Sequence, residues 1–529
     1  IIHIAMKRVN LAPILCWVGT GVFLSALMVN RVSAIAFAKT FGESDWDLAF
    51  SVQQTSDGGY IVAGRTYSFG AGGDVFLLKT DASGNLQWSK TFGGGDYEEA
   101  YSVQQTSDGG YIVAGYTLSF GAGSADVFLL KTDASGNLQW AKTFGGSSDD
   151  YALSVQQTSD GGYIVAGFTY SFGAGGDVFL LKTDASGNLQ WAKTFGGSFD
   201  DWAYSVQQTS DGGYIVAGFT YSFGAGGDVF ILKTDASGNL QWSKTFGGGD
   251  YEEAYSVQQT SDGGYIVAGV TGSFGAGGSD VFLLKTDASG NLQWSKTFGG
   301  SSGDYAYSVQ QTSDGGYIVA GETNSFGAGG DVFLFKTDAS GNLQWAKTFG
   351  GSSGDYAYSV QQTSDGGYIV AGYTLSFGAG SWDVFLLKTD ANGNIGTCAI
   401  VGSVTPTVNT PTTTETNPTL IVDSPTPDTT TPTVTEISPT LAVSEPCPSS
   451  SISEGQRFDG CFADVLRVGK GHITVSSVGE FRVKIYDVSG NVVKDVEGKG
   501  ELRISLKKGV YFVEVVSKEG RRVERVIVR

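Results

Sequence analysis

Seven carboxylates recur at equivalent places in this chain: Asp47, Glu98, Asp150, Asp201, Glu252, Asp304 and Asp355. A ring of carboxylates offers the several oxygen ligands that calcium takes. A pair of them with contrasting environments could act as the acid and base of glycoside cleavage. Carboxylates ahead of a strand also cap turns or face water. Other chemistry is excluded by composition. The only histidines are His3 and His472, and residues 35–395 hold no cysteine and a single arginine, Arg65. That removes histidine bases, thiolate nucleophiles and histidine metal sites from this region. The seven carboxylates sit in near-identical sequence, whereas acid–base work needs unlike neighbours. A non-enzymatic protein is expected, with no cofactor unless the ring takes calcium.

Aromatic side chains supply a second chemistry. Trp46, Tyr67, Tyr97, Tyr116, Phe168, Tyr170, Trp202, Phe219, Tyr221, Tyr373 and Trp382, with Arg65 among them, occupy positions that vary between otherwise repeated segments. Flat apolar rings on loops can stack on sugars or engage a protein partner. They form the candidate ligand-binding set for a glycan or an extracellular protein. The same positions could instead be loops that drift after duplication and bind nothing.

What positions these residues is a repeat. GGYIVAG begins at Gly58 and returns at Gly109, Gly161, Gly212, Gly263, Gly315 and Gly366, 51 or 52 residues apart. Each unit holds four strand-like runs, such as AYSVQQ, YIVAG-x-T, DVFLLKT and LQWAKTF, separated by TSDGG, SFGAGG and DASGN. DVFLLKT is apolar on both faces, so it belongs to a sheet covered on both sides. Four antiparallel strands repeated seven times predict an all-β fold, a seven-bladed β-propeller of four-stranded blades over residues 35–395. The last unit lacks its LQWAKTFG strand, and IAFAKTFG at Ile35–Gly42 supplies it, with Phe37 in place of tryptophan. A closed ring follows, since closure removes open edges. Strands alternate in direction, so TSDGG and DASGN share one face. SFGAGG, the segment after KTFG and nearly all the variation share the other.

The repeat resembles bacterial secreted β-propeller repeats of the WAKTFGG/SVQQTSDGGYIVAG/DVFLLKTDASGN type, which implies an exported propeller and no particular activity. The flanks agree. After residues 1–5, Lys7 and Arg8 precede an apolar run from Leu11 to Val29 and then Val32-Ser33-Ala34, the pattern of a cleaved signal peptide over residues 1–34. Residues 396–463 are rich in Thr, Pro and Ser, and predict an extended or disordered linker, a stalk open to O-glycosylation. Cys447 and Cys461 would close a short disulfide loop, and with Cys398 the count is odd, so one thiol is left over or pairs between chains. Residues 464–529 alternate as short strands and predict a small C-terminal β-sandwich. VKIYDVSGNVV, LRISLKKGVYFVEV and VERVIVR are similar to the type A sorting domain of type IX secretion cargo. That resemblance implies the outer-membrane secretion machinery as a partner and a cell-surface or secreted location.

Charge follows the same division. Residues 35–395 carry 37 acidic and 15 basic side chains, a net of −22. Such a surface repels phosphate backbones, which excludes nucleic acid. The sequence reading is a binding or adhesion module that uses the variable face. A ligand-free structural spacer is the alternative, and a carboxylate-dependent glycan hydrolase or lyase the more remote one.

Overall fold

The computed structural model describes residues 36–396 without a break. Beyond these it describes strands and a few joining residues between 398 and 447 and between 465 and 528. The expected signal peptide over residues 1–34 lies outside the described residues. Among the described residues every regular element is a strand.

Seven antiparallel sheets repeat one plan. In blade 1 the inner strand Asp47–Gln54 pairs with Tyr60–Thr66, which pairs with Asp74–Thr80, which pairs with Leu86–Gly93. Side chains alternate across a strand, so each central strand serves two neighbours. Ile61, Ala63, Val75 and Leu77 pack on Tyr111, Val113, Phe128 and Leu130 of blade 2. Tyr60, Val62, Phe76 and Leu78 pack on Ile369, Ala371, Val384 and Leu386 of blade 7. This is why DVFLLKT is apolar on both faces. The outer strands lock in the same way. Each tryptophan of LQWAKTF lies 5.8–6.0 Å, centroid to centroid, from the tyrosine of the next blade's YIVAG.

The ring closes where the sequence indicates. Phe37–Gly42 pairs antiparallel with Asp383–Thr389 and completes blade 7, and Phe37 meets Tyr60 at 6.1 Å. Inner strands are joined from blade to blade by side chains. Val103 N–H donates to Ser51 Oγ at 3.1 Å, and Gln105 N–H to Gln53 Oε1 at 2.5 Å. The last of these links cross the closure, from Val52 N–H to Ser359 Oγ and from Gln54 N–H to Gln361 Oε1. Within each blade a buried lysine of DVFLLKT meets the aspartate of TSDGG, as Lys79 meets Asp57 at 2.8 Å.

The Thr/Pro-rich segment differs from the expected stalk. It supplies a fifth strand to every blade. Val401–Ser403 pairs with Leu343–Phe349 of blade 6, Thr407–Asn409 with blade 5, and Thr414–Thr416 with blade 4. Ile421–Asp423, Asp428–Thr430 and Thr435–Ile437 continue to blades 3, 2 and 1. Ala442–Cys447 ends on the closing strand of blade 7. The belt therefore runs backwards around the ring. Its register is regular: Val401, Val408, Glu415, Val422, Thr429, Glu436 and Val443 each pair with the phenylalanine of a KTF segment. Those residues are seven apart. The physical cause is the bare outer edge of each fourth strand, whose N–H and C=O groups would otherwise lack strand partners. Proline recurs at 411, 418, 425, 432, 439 and 446, also seven apart. It has no N–H and interrupts a ladder, and Pro411 and Pro418 stand between belt strands on successive blades. Composition alone conceals this period.

The C-terminal strands form one five-stranded sheet. His472–Tyr486 pairs along one edge with Val492–Ser505, and along the other with Val465–Gly469 and then Gly509–Ser517. Gly520–Val528 adds to Gly509–Ser517. His472–Tyr486 is thus one long strand rather than short ones, because a register shift between Ser477 and Glu480 absorbs the break in alternation. A second sheet, as a sandwich needs, is not among the described residues. Cys461 also lies outside them, and the expected Cys447–Cys461 bond with it, while Cys398 is disulfide-bonded.

Candidate functional site

The repeated carboxylates open the inner strands, and all seven are fully buried. Each is held by its own blade junction. Asp150 Oδ2 accepts from Gly146 N–H at 2.8 Å and from the Ser171 hydroxyl at 2.6 Å. Glu98 accepts from Gly94 N–H and from the Thr117 hydroxyl, at 2.8 and 2.6 Å. They tie the chain segment after KTFG to the SFGAGG loop. They do not converge on a common centre. Among the described residues no three His, Cys, Asp or Glu side chains gather closely enough to hold a metal ion.

Each instead faces a second carboxylate that the sequence conceals, the aspartate opening DVFLLKT. A Cβ on Gly93 would overlap Asp74 Oδ1 and stand 2.6 Å from Glu98 Oε2. Only glycine leaves room for the pair. Asp383 and Asp47 close on Gly42 in the same way, and Asp331 and Asp355 on Gly350. Burial, with the facing Glu98 adding to it, pushes Asp74 up to about 7. Burial likewise pushes Asp228, Asp280, Asp331 and Asp383 up to about 6.

The candidate aromatic residues sit at the opposite end of the ring from TSDGG, and they divide by depth. Trp46, Tyr67, Tyr170 and Tyr221 are exposed on the rim. Tyr97, Tyr116, Trp202, Tyr373, Trp382 and Arg65 are half-buried below it. Phe168 and Phe219 are buried, and Phe168 stacks on Trp202 at 4.3 Å and 15°. Phe168 and Phe219 therefore support the face rather than present it.

Sequence reasoning missed the inner collar. Phe50, Tyr101, Tyr204, Tyr255, Tyr307 and Tyr358 occupy the same position of six of the seven inner strands, with Leu153 in the third, and form a chain of ring contacts from Tyr204 through Tyr255, Tyr307, Tyr358 and Phe50 to Tyr101. Phe50 lies 5.3 Å from Tyr101 and 5.2 Å from Tyr358, and Tyr307 stacks on Tyr358 at 4.6 Å and 12°. The cause is a bulge. Ala49 pairs with Gly64 and Ser51 with Ala63, so the residue between them is unpaired and redirected. Gly64 is part of the device, since a Cβ there would collide with the Leu48 carbonyl. The sequence signal was an aromatic residue three positions after most of the ring carboxylates. Below the collar, Val52, Gln53 and their equivalents line a narrow cavity of about 200 Å³.

At the junction of blades 6, 7 and 1 the aromatic residues enclose a funnel of about 340 Å³. Its walls include Trp46, Arg65, Glu322, Tyr356, Tyr373 and Trp382. Trp382 meets Tyr373 edge-on at 5.0 Å and Tyr356 at 5.4 Å. The Tyr358 and Tyr373 hydroxyls are 3.0 Å apart. Arg65 Nη1 lies 3.1 Å from Glu99 Oε2 and is hydrogen-bonded to the Tyr97 hydroxyl. Glu322 carries a carboxyl that burial, and then Asp304, push up to about 7.

The fold and its tail define the class. Residues 469–529 match the family model of the secretion system C-terminal sorting domain. The molecule is a seven-bladed β-propeller with a type IX sorting tail, a protein delivered through that secretion machinery and attached at the cell surface.

Among curated proteins, the chain is similar to the regulatory protein FlaEY of Caulobacter vibrioides, 26% identical over 217 residues. The match covers 39% of this chain and spans about a fifth of that protein's length, 21%. Among solved structures it is similar to a protein of unknown function from Dyadobacter fermentans. There the TM-score is 0.38 at 14% identity, covering 66% of this chain and 97% of the other. A biofilm-associated protein BSP domain gives a TM-score of 0.14 at 11% identity, covering 93% of this chain and 96% of the other. Scores at this level do not establish a shared fold.

Proposed function

We propose that this surface protein is a non-catalytic binding module, and that the aromatic funnel receives a glycan. The funnel carries the reading. Tyr356, Tyr373 and Trp382 meet at 5.0–5.4 Å around a concavity of about 340 Å³. Concave, largely apolar sites with a few polar groups are where small ligands bind. Sugar rings offer C–H faces to such aromatic walls and hydroxyls to the tyrosines. The buried carboxylates at the blade junctions support a non-catalytic role, since they are closed off from solvent and none of them lines the funnel.

A glycan array probed with the full chain tests this. Binding is expected, and Trp382→Ala or Tyr373→Ala should weaken it about tenfold or more, the loss of roughly 1.4 kcal/mol of stacking. A blank array from folded protein would turn the reading toward a structural spacer.

A further inference from the structure

The position after each YIVAG glycine lies on the variable side, and in three blades it lines the funnel, as Arg65, Glu322 and Tyr373. It is aromatic or apolar in five blades and charged in two, as Arg65 and Glu322. The two charges differ in kind. The Arg65 guanidinium is already neutralised by Glu99 at 3.1 Å, and the rings of Tyr67 and Tyr97 lie 5.6 and 5.4 Å from it. Glu322 has no such arrangement. Among the described residues no donor is hydrogen-bonded to it and no cation pairs with it. It stands opposite Tyr305 in its strand pair and lines the funnel with Tyr356, Tyr373 and Trp382. A carboxylate half-buried among aromatic rings without a counter-charge is costly by itself. The same surroundings favour an organic cation, because ring faces and carboxylate both attract it.

We propose that the funnel takes an amino sugar, with its ring stacked on Trp382 or Tyr373 and its protonated amine on Glu322. This rests on the glycan reading above and narrows it. The volume suits about one sugar ring, and the aromatic walls select a flat C–H face rather than a bare ammonium. An N-acetylated sugar satisfies the walls and leaves Glu322 unpaired. A small quaternary amine satisfies Glu322 and leaves the walls unfilled.

Calorimetric titration of the full chain with a glucosamine tetramer, its fully N-acetylated counterpart and choline tests the assignment. The free-amine tetramer is expected to bind at least about tenfold more tightly than either alternative. Glu322→Gln should remove that preference by lowering the affinity for the free-amine tetramer to that of the acetylated one, and Trp382→Ala should weaken both tetramers. Unchanged melting temperatures confirm that the variants fold. Equal affinity for the two tetramers, or a preference that survives in Glu322→Gln, overturns the assignment. Choline binding as tightly as the amine tetramer overturns the sugar component. Failure of every amino sugar while the array returns another glycan sinks this inference and leaves the glycan reading intact. Failure of all glycans sinks both.

Discussion

Arg65 is the propeller's sole arginine, and it pairs with a buried acid of the variable face, Glu99. Glu99 is 3% exposed and receives hydrogen bonds from Tyr97 at 2.5 Å and Tyr116 at 3.3 Å. Burial pushes the Glu99 carboxyl up, and Arg65 opposes that shift. Removing one partner of a buried pair leaves the other uncompensated. Arg65→Ala should therefore destabilise the propeller by about 3 kcal/mol at pH 8, read from chemical denaturation. The loss should shrink as pH falls, since protonation of Glu99 removes its need for the cation. Equal stability of variant and parent at pH 8 would contradict the pairing. Arg65 and Glu322 are visible in the sequence as departures from an aromatic column. Their contrasting roles are not, because the partner of Arg65 comes from the next blade.

Blades meet through paired carboxylates, and these give the fold a pH dependence. In the folded state Asp74 is pushed up to about 7 and Asp228, Asp280, Asp331 and Asp383 to about 6, above the ordinary value of 3.8. Between those limits the folded chain holds protons that the unfolded chain has released, so stability falls as pH rises. The aspartates of TSDGG act oppositely. Lys79, with Thr55 and the Gly59 amide, holds Asp57 down to about 2 against its partial burial, and Asp108 and Asp160 are likewise lowered to about 2. Their stabilisation is complete above the unfolded value and is lost as pH drops toward 2. The melting temperature should therefore peak near about pH 4 and decline toward about pH 7, and a scan that rises from about 4 to about 7 would contradict the junction pairs. Asp74→Asn should flatten part of the decline. One half of each pair was legible, since Asp47 and its equivalents recur beside loops. The other half opens an apolar strand, where a single aspartate reads as an edge residue. The junction exists only once two blades are placed side by side.

At the scale of the whole molecule the ring was legible and the belt was not. Repeat spacing, four strands per unit and the displaced KTFG strand lead directly to seven closed blades. The segment from 401 to 447 has the composition of a stalk, and its heptad of prolines conveys a period only to a reader who knows that something has seven edges. Six three-residue strands and the longer Ala442–Cys447, laid on open edges, should protect the amides of the KTFG strands. Hydrogen exchange at Thr91, Thr143, Thr194 and their equivalents is expected to be slow in the full chain, and at least about tenfold faster in a chain ending at Ile395. Such a chain should also self-associate through its exposed edges. Unchanged exchange would remove the belt from the account of stability.

The belt also bears on how the gene can change. Near-identical repeats recombine readily, and a blade could be gained or lost in one event. The belt, however, carries one heptad for each blade and ends on the strand that closes the ring. An eighth blade would leave one edge bare, and a six-bladed descendant would leave seven residues of belt with nothing to pair. Copy number in one half of the protein is thereby matched to copy number in the other, and the belt serves as a ruler against which the count of blades is kept.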